Sequence, residues 1–158
     1  MPNQRQNLEQ QVLEPFEKCA HKHGYPIFKG QGRDNRICVD GNTYFQFGDL
    51  RVDTPYYHVI IEVETAGGVT NLVKYWYCLE SQKQIISKPI VLLHIFKMSS
   101  ESDYGSHLSL WDYLWDRMAK DLKNRMQAKR FKIGGEDDKC ELDKALKYFK
   151  EKILENKR

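Results

Sequence analysis

The residues best placed to do chemistry are the acids of two short alternating runs, Asp49 to Asp53 and His58 to Glu64, joined by Thr54-Pro55-Tyr56-Tyr57. A four-residue connection built on a type I turn, with Pro55 fixing one backbone angle, pairs Asp53 with His58 and carries the pairing outward. Val52 then faces Val59, Leu50 faces Ile61, and Asp49 stands opposite Glu62 with Cβ atoms about 5 Å apart. Side chains alternate along a strand, so Leu50, Val52, Val59, Ile61 and Val63 make one apolar face, while Asp49, Arg51, Asp53, His58, Ile60, Glu62 and Glu64 share the other. Asp49, Glu62 and Glu64 converge there. Carboxylates facing one another destabilise a sheet unless a positive charge sits among them or one takes up a proton. A hard divalent cation, Mg²⁺ or in its place Mn²⁺, resolves that conflict with oxygen ligands. The alternative is a solvated face compensated by Arg51 and nearby lysines.

A second concentration of charge lies further along. Arg117, Lys120, Lys123, Arg125, Lys129, Arg130 and Lys132 stand against the single Asp121, a net +6 where the whole chain carries +3. Read as a helix running into a loop, this stretch can neutralise phosphates or simply be a solvated face. Arg33 and Arg36, in the G-Q-G-R-D-N segment before the acids, are further phosphate-binding candidates, and that segment reads as a mobile loop.

The elements that must position these groups follow from periodicity. Leu8, Val12, Phe16, Cys19 and Ala20 give a helix over about Asn7 to His23, interrupted by Pro15 and closed by Gly24. Short strands at Ile37–Val39 and Thr43–Phe47 flank an Asp40-Gly41-Asn42 turn. After Ala66-Gly67-Gly68 the spacing of Val69, Leu72, Val73, Trp76 and Leu79 predicts an amphipathic helix, and Ile90 to Phe96 a buried strand. A polar loop over Ser99–Ser106 leads to a helix marked by Leu108, Trp111, Leu114, Trp115, Met118 and Leu122. The last helix carries Leu142, Ala145, Leu146, Phe149, Ile153 and Leu154. Helix, three strands, helix, strand, helix, helix is an α/β order, an α+β mixed sheet with helices on both faces and a right-handed crossover that makes His58–Glu64 and Ile90–Phe96 parallel.

Composition sets the frame. At 158 residues, 41% hydrophobic and 30% charged, the chain suits one domain over 1–158, with a core at about 8–97 and C-terminal helices at about 107–158. No stretch approaches the roughly 18 apolar residues of a membrane span. The polar MPNQRQNLEQ start lacks a signal-peptide core, so a cytoplasmic location is expected. Cys19, Cys38, Cys78 and Cys140 form no C-x-x-C pair, which points to reduced, mostly buried thiols. His58 is expected to pair with Asp53, and His94 to be a satisfied core histidine.

Gly48-Asp49-Leu50, followed thirteen positions after Asp49 by Glu62 in Ile61-Glu62-Val63-Glu64, resembles the active-site pattern of the PD-(D/E)XK nuclease superfamily. Glu14, ten residues before Gly24, is similar to that family's acid on the first helix, and Asn71-Leu72-Val73-Lys74-Tyr75 resembles its Gln-x-x-x-Tyr helix motif with Asn for Gln. The resemblance implies a restriction endonuclease-like core and a nuclease in which Asp49, Glu62, the Val63 carbonyl and Glu14 hold Mg²⁺. Glu64 occupies the position usually held by lysine. It then serves as general base or further ligand, as in Glu-x-Glu members, or the lysine has moved to Lys74, preferred over Lys97. The implied partner is DNA, held by Arg33, Arg36, Asn71, Tyr75, Lys129 and Arg130. Two other functions are consistent with the residues: a nuclease-like fold that binds nucleic acid or a protein without cutting, and an interaction module forming a homodimer through the last helix.

Overall fold

A computed structural model describes residues 4–65, 68–81, 86–97, 105–134 and 138–155. Ala66-Gly67, most of the expected Ser99–Ser106 loop, and Gly135, Glu136 and Asp137 lie outside the described residues.

Helix α1 (Gln4–Lys22) runs through Pro15. The proline removes one backbone hydrogen bond, but Val12, Leu13, Phe16 and Ala20 on the same side are buried and hold the helix against the sheet. Gly24, at φ +72°, closes it. Strands β1 (Ile27–Lys29), β4 (Leu50–Asp53), β5 (His58–Glu64), β6 (Ile90–Lys97) and β7 (Met126–Ile133) form one sheet in the order β1-β4-β5-β6-β7. Strands β2 (Arg36–Cys38) and β3 (Tyr44–Gln46) form a separate hairpin, closed by Asp40 Oδ1 accepting the N–H groups of Asn42 and Thr43. Helices α2 (Thr70–Ser81), α3 (Gly105–Leu122) and α4 (Asp138–Ile153) complete the fold.

The central hairpin has the expected register: Leu50 pairs with Ile61, Val52 with Val59 and Asp53 with His58. Its turn is held by Thr54 Oγ1, which accepts the Tyr57 N–H at 2.9 Å. Strands β5 and β6 are parallel, as are β6 and β7, while β1–β4 and β4–β5 are antiparallel. The sheet is mixed and covered on both faces. Leu50, Val52, Val59, Ile61 and Val63 pack with α1 and α4, where the Phe16 and Phe149 rings meet edge-on at 5.3 Å. Ile60, Leu92 and Phe96 pack with α2, α3, Ile37 of the small hairpin and Phe47 just after it.

Four expectations need correction. The order of elements lacked β1 and β7. The basic stretch from Arg117 to Lys132 is not a helix leading into a loop: α3 ends at Leu122, a single 3-10 turn follows, and Met126–Ile133 is the last strand of the sheet. Consecutive residues there point to opposite sides, so Lys129 and Arg130 share no face. The Gly30–Asn35 segment contains a fixed point, because Asn35 is fully buried and its Nδ2 donates to the carbonyls of Gly30 and Gly48, both at 2.9 Å. Of the four cysteines, Cys19 and Cys78 are buried, but Cys38 and Cys140 are exposed.

Candidate functional site

Asp49 follows Gly48, whose φ of +88° suits glycine and whose would-be Cβ would overlap Ile60 Cγ2. The kink, clasped by Asn35, brings Asp49 back to β5: its N–H donates to the Ile61 carbonyl at 3.0 Å, and its Oδ2 accepts the Val63 N–H at 2.8 Å. Oδ1 accepts from Gln46 Nε2, also at 2.8 Å. Continuing the register sets Asp49 beside Glu62. Glu62 pairs in turn with His94 on β6, and His94 with Arg130 on β7. A polar row therefore crosses the sheet face that α2 and α3 cover.

Glu62 is 1% exposed. Its charge is met from α2, where Lys74 Nζ approaches Oε1 at 2.6 Å and the Tyr75 hydroxyl donates to the same oxygen at 2.5 Å. Lys74 also reaches Asn71 Oδ1 at 3.3 Å, and Asn71 Nδ2 donates to Glu64 Oε1 at 2.6 Å. One turn of helix thus serves both β5 acids. Residues 71, 74 and 75 fall on one side of a helix, and that side faces the sheet.

The electrostatics are those of a site short of positive charge. Burial pushes the Glu62 carboxyl up to about 7, Lys74 pulling down and Asp49 adding to the rise. Burial also raises Asp49, against the Val63 N–H, Lys74 and Gln46, with Glu64 adding to the rise. The Tyr75 phenol is held well above its usual value by burial and by Glu62, so it remains a donor. Burial lowers the His94 imidazole while Glu64 opposes the shift.

The structure brings together Asp49, Glu62, Val63, Glu64, Asn71, Lys74 and Tyr75. Glu14 does not belong: its side chain is exposed and paired with Lys18 at 2.6 Å. The acid of α1 that senses the site is Glu9, raised by burial and by the charge of Asp49. Glu9 precedes Val12, Leu13 and Phe16 by helical spacing, and its place on that apolar stripe was the available signal. Lys97, the alternative to Lys74, is tied to Asp138 at 2.8 Å. Arg33 is exposed in the loop before β2, and Arg36 lies over the Tyr44 ring at 3.9 Å. Lys129 faces α4, near the Tyr148 ring, whereas Arg130 grips Asp112 of α3 with two hydrogen bonds, at 2.7 and 2.8 Å. His58 meets Asp53 at 2.7 Å as expected. His94 differs from expectation, since its Nε2 is buried without a hydrogen-bond partner among the described residues.

Oxygen-rich donors suit Mg²⁺ or Mn²⁺. Among the described residues no group of three or more His, Cys, Asp and Glu is arranged to hold a metal ion, and protein donors occupy both Asp49 oxygens and Glu62 Oε1. Both hydrogen bonds to Glu62 end on Oε1, so Oε2 is the oxygen a cation would share. Among the described residues no helix is long and apolar enough to cross a membrane. No protein-family model matches the chain, and neither a curated protein nor a solved structure matches it.

Proposed function

We propose that this chain is a metal-dependent nuclease that hydrolyses phosphodiester bonds in DNA, with a PD-(D/E)XK-type site on a restriction endonuclease-like core. The observation that carries the reading is the Lys74 ammonium at 2.6 Å from Glu62, which supplies from α2 the lysine missing at position 64. Asp49, Glu62 and the Val63 carbonyl would hold Mg²⁺ or Mn²⁺. The donor set fits, being hard oxygen beside carboxylates that burial leaves under-neutralised. Bound there, the ion supplies Lewis-acid charge to a phosphoryl oxygen and acidifies water.

The protein's own groups do the rest. Glu64, anchored through Oε1 by Asn71, keeps its second oxygen to orient or deprotonate the attacking water. Lys74, held between Glu62 and Asn71, carries a positive charge placed to stabilise the developing negative charge on phosphate. Tyr75 keeps Glu62 Oε1 fixed beside that charge. Arg33, Arg36 and Lys129 supply cations for the phosphodiester backbone, which gives affinity without sequence preference.

A second reading, a nuclease-like fold that binds nucleic acid without cutting, is favoured by the protein donors already seated on Asp49 and Glu62. Incubation with supercoiled, linear and single-stranded DNA plus Mg²⁺ or Mn²⁺ separates the two. Cleavage is expected from the wild type, with losses of about 100-fold or more in Glu62→Ala and Lys74→Met. Wild type that cuts no better than Glu62→Ala at matched purity removes the enzyme reading.

A further inference from the structure

His94 is the one polar residue in the apolar run Ile90–Phe96, and it is fully buried, with its ring over Phe96 at 4.6 Å between centroids. On one side of the ring, Trp111 Nε1 lies 3.0 Å from Nδ1. An indole nitrogen only donates, so Nδ1 must present its lone pair. The proton of the neutral imidazole then sits on Nε2. That nitrogen has no hydrogen-bond partner among the described residues, and it faces Glu64, whose Oε1 lies 3.8 Å away. This is too long for a hydrogen bond. A buried donor is thus aimed at an acid of the site, just outside bonding reach.

We infer that Trp111, His94 and Glu64 form a positioning relay, in which the indole fixes the imidazole tautomer and the imidazole N–H steers the Glu64 carboxylate. Asn71 already donates to Oε1 from α2, and His94 approaches the same oxygen from β6. With Asn71 bonded to it and the His94 N–H aimed at it, that oxygen is committed to the protein. The other oxygen, Oε2, is turned toward the Gly68 backbone, 3.9 Å from where a Cβ on that glycine would stand, and is left for water or a cation. The tautomer rules out two other roles, since a metal ligand or a general base at Nε2 needs the lone pair that the proton occupies. His94 is a positioning residue acting through Glu64, and its part in catalysis rests on the nuclease reading.

The relay can be tested without any cleavage. Long-range proton–nitrogen spectra of the nitrogen-15-labelled protein should show His94 solely as the Nε2–H tautomer. Glu64→Gln should move the Nε2 resonance, and Trp111→Phe should release a mixture of tautomers. Binding of Mn²⁺, followed by calorimetry, should weaken about 10- to 100-fold in His94→Phe and recover in part in His94→Gln, whose amide restores a donor. An Nδ1–H or doubly protonated ring in the wild type, or an Nε2 signal indifferent to Glu64→Gln, overturns the relay. If the wild type binds no Mn²⁺ and cuts no DNA, the nuclease reading falls, while the spectra of the wild type, Trp111→Phe and Glu64→Gln still decide the relay. Those spectra also suffice if His94→Phe does not fold.

Discussion

Glu62 is the residue on which stability and chemistry pull in opposite directions. A buried carboxyl raised to about 7 from the 4.5 of an unperturbed glutamate keeps its proton in the folded chain over a range where the unfolded chain has released it. Its contribution to stability is therefore fully present below about pH 4.5 and lost as pH rises through about 7. The difference amounts to about 3 kcal/mol. Urea unfolding of the wild type and Glu62→Gln across pH 4.5 to 8 should show the wild type losing ground to the variant by that amount, and parallel curves would show that the carboxyl is not raised. Much of the site was legible at this scale. Alternation and turn length placed Asp49, Glu62 and Glu64 on one face, and helical spacing turned Lys74 toward them. Gln46 and His94 were not found, because each reaches the site through a pairing between elements that no local spacing announces. Glu14 was chosen over Glu9 by its distance from Gly24, whereas the apolar stripe of α1 pointed to Glu9.

At the scale of elements, the segment between β3 and β4 matters more than its length suggests. Gly48 takes a left-handed backbone against the buried Ile60 side chain, and Asn35 holds its carbonyl. Gly48→Ala combines backbone strain with overlap in a packed core, and should cost about 3 kcal/mol in chemical denaturation. It should also disturb Asp49. A variant within 0.5 kcal/mol of wild type, a bound of about the size of ordinary surface substitutions, would show that the kink is not held as described. The strands missed from the sequence were missed for physical reasons. β1 is three residues long, too short to display alternation. In β7 the buried side changes midway: Met126 and Ala128 pack toward α2 and α3, Phe131 and Ile133 toward α1 and α4. Neither a period of two nor one of 3.6 survives such a switch, and the lysines between lent the stretch a helical look. The stripe of the last helix packs largely inside the chain, with Ala145, Phe149 and Ile153 buried and Leu142 and Leu146 partly buried against them.

Over the whole molecule, the near-balance of charge conceals a segregation. The acids of β4 and β5 sit at the middle of the sheet, and the bases of β7 lie along its edge. Lys129, Arg130 and Lys132 on an edge strand hinder pairing with another chain, whatever else they bind. Only some of them are available to phosphates. Both Lys129 and Arg130 line a cavity of about 320 Å³ with Lys144, Lys147, Tyr148 and the acids Glu141 and Glu151, but Arg130 is held by Asp112. Fluorescence anisotropy of labelled DNA over a range of salt should therefore show Lys129→Ala lowering the slope of log affinity against log salt by about 0.9. Arg130→Ala should change it less. A slope untouched by Lys129→Ala removes that edge from the interface. Mixed topology, two covered faces and the central register were all readable from the sequence, and the length of the sheet was not, because its outer strands are specified by packing rather than by pattern.

The polar row from Asp49 through Glu62 and His94 to Arg130 has one more consequence, for how the chain finds its fold. Apart from His94, every residue of Ile90–Phe96 is apolar, and a parallel strand of that kind can slide by two positions without exposing anything to water. His94 is the alignment mark: only when it stands level with Glu62 and Arg130 do these polar groups of three strands share one stratum. His94→Leu would erase the mark. The expected result is a chain that still collapses but populates more than one alignment of β6, visible as doubled amide resonances for β5 and β7.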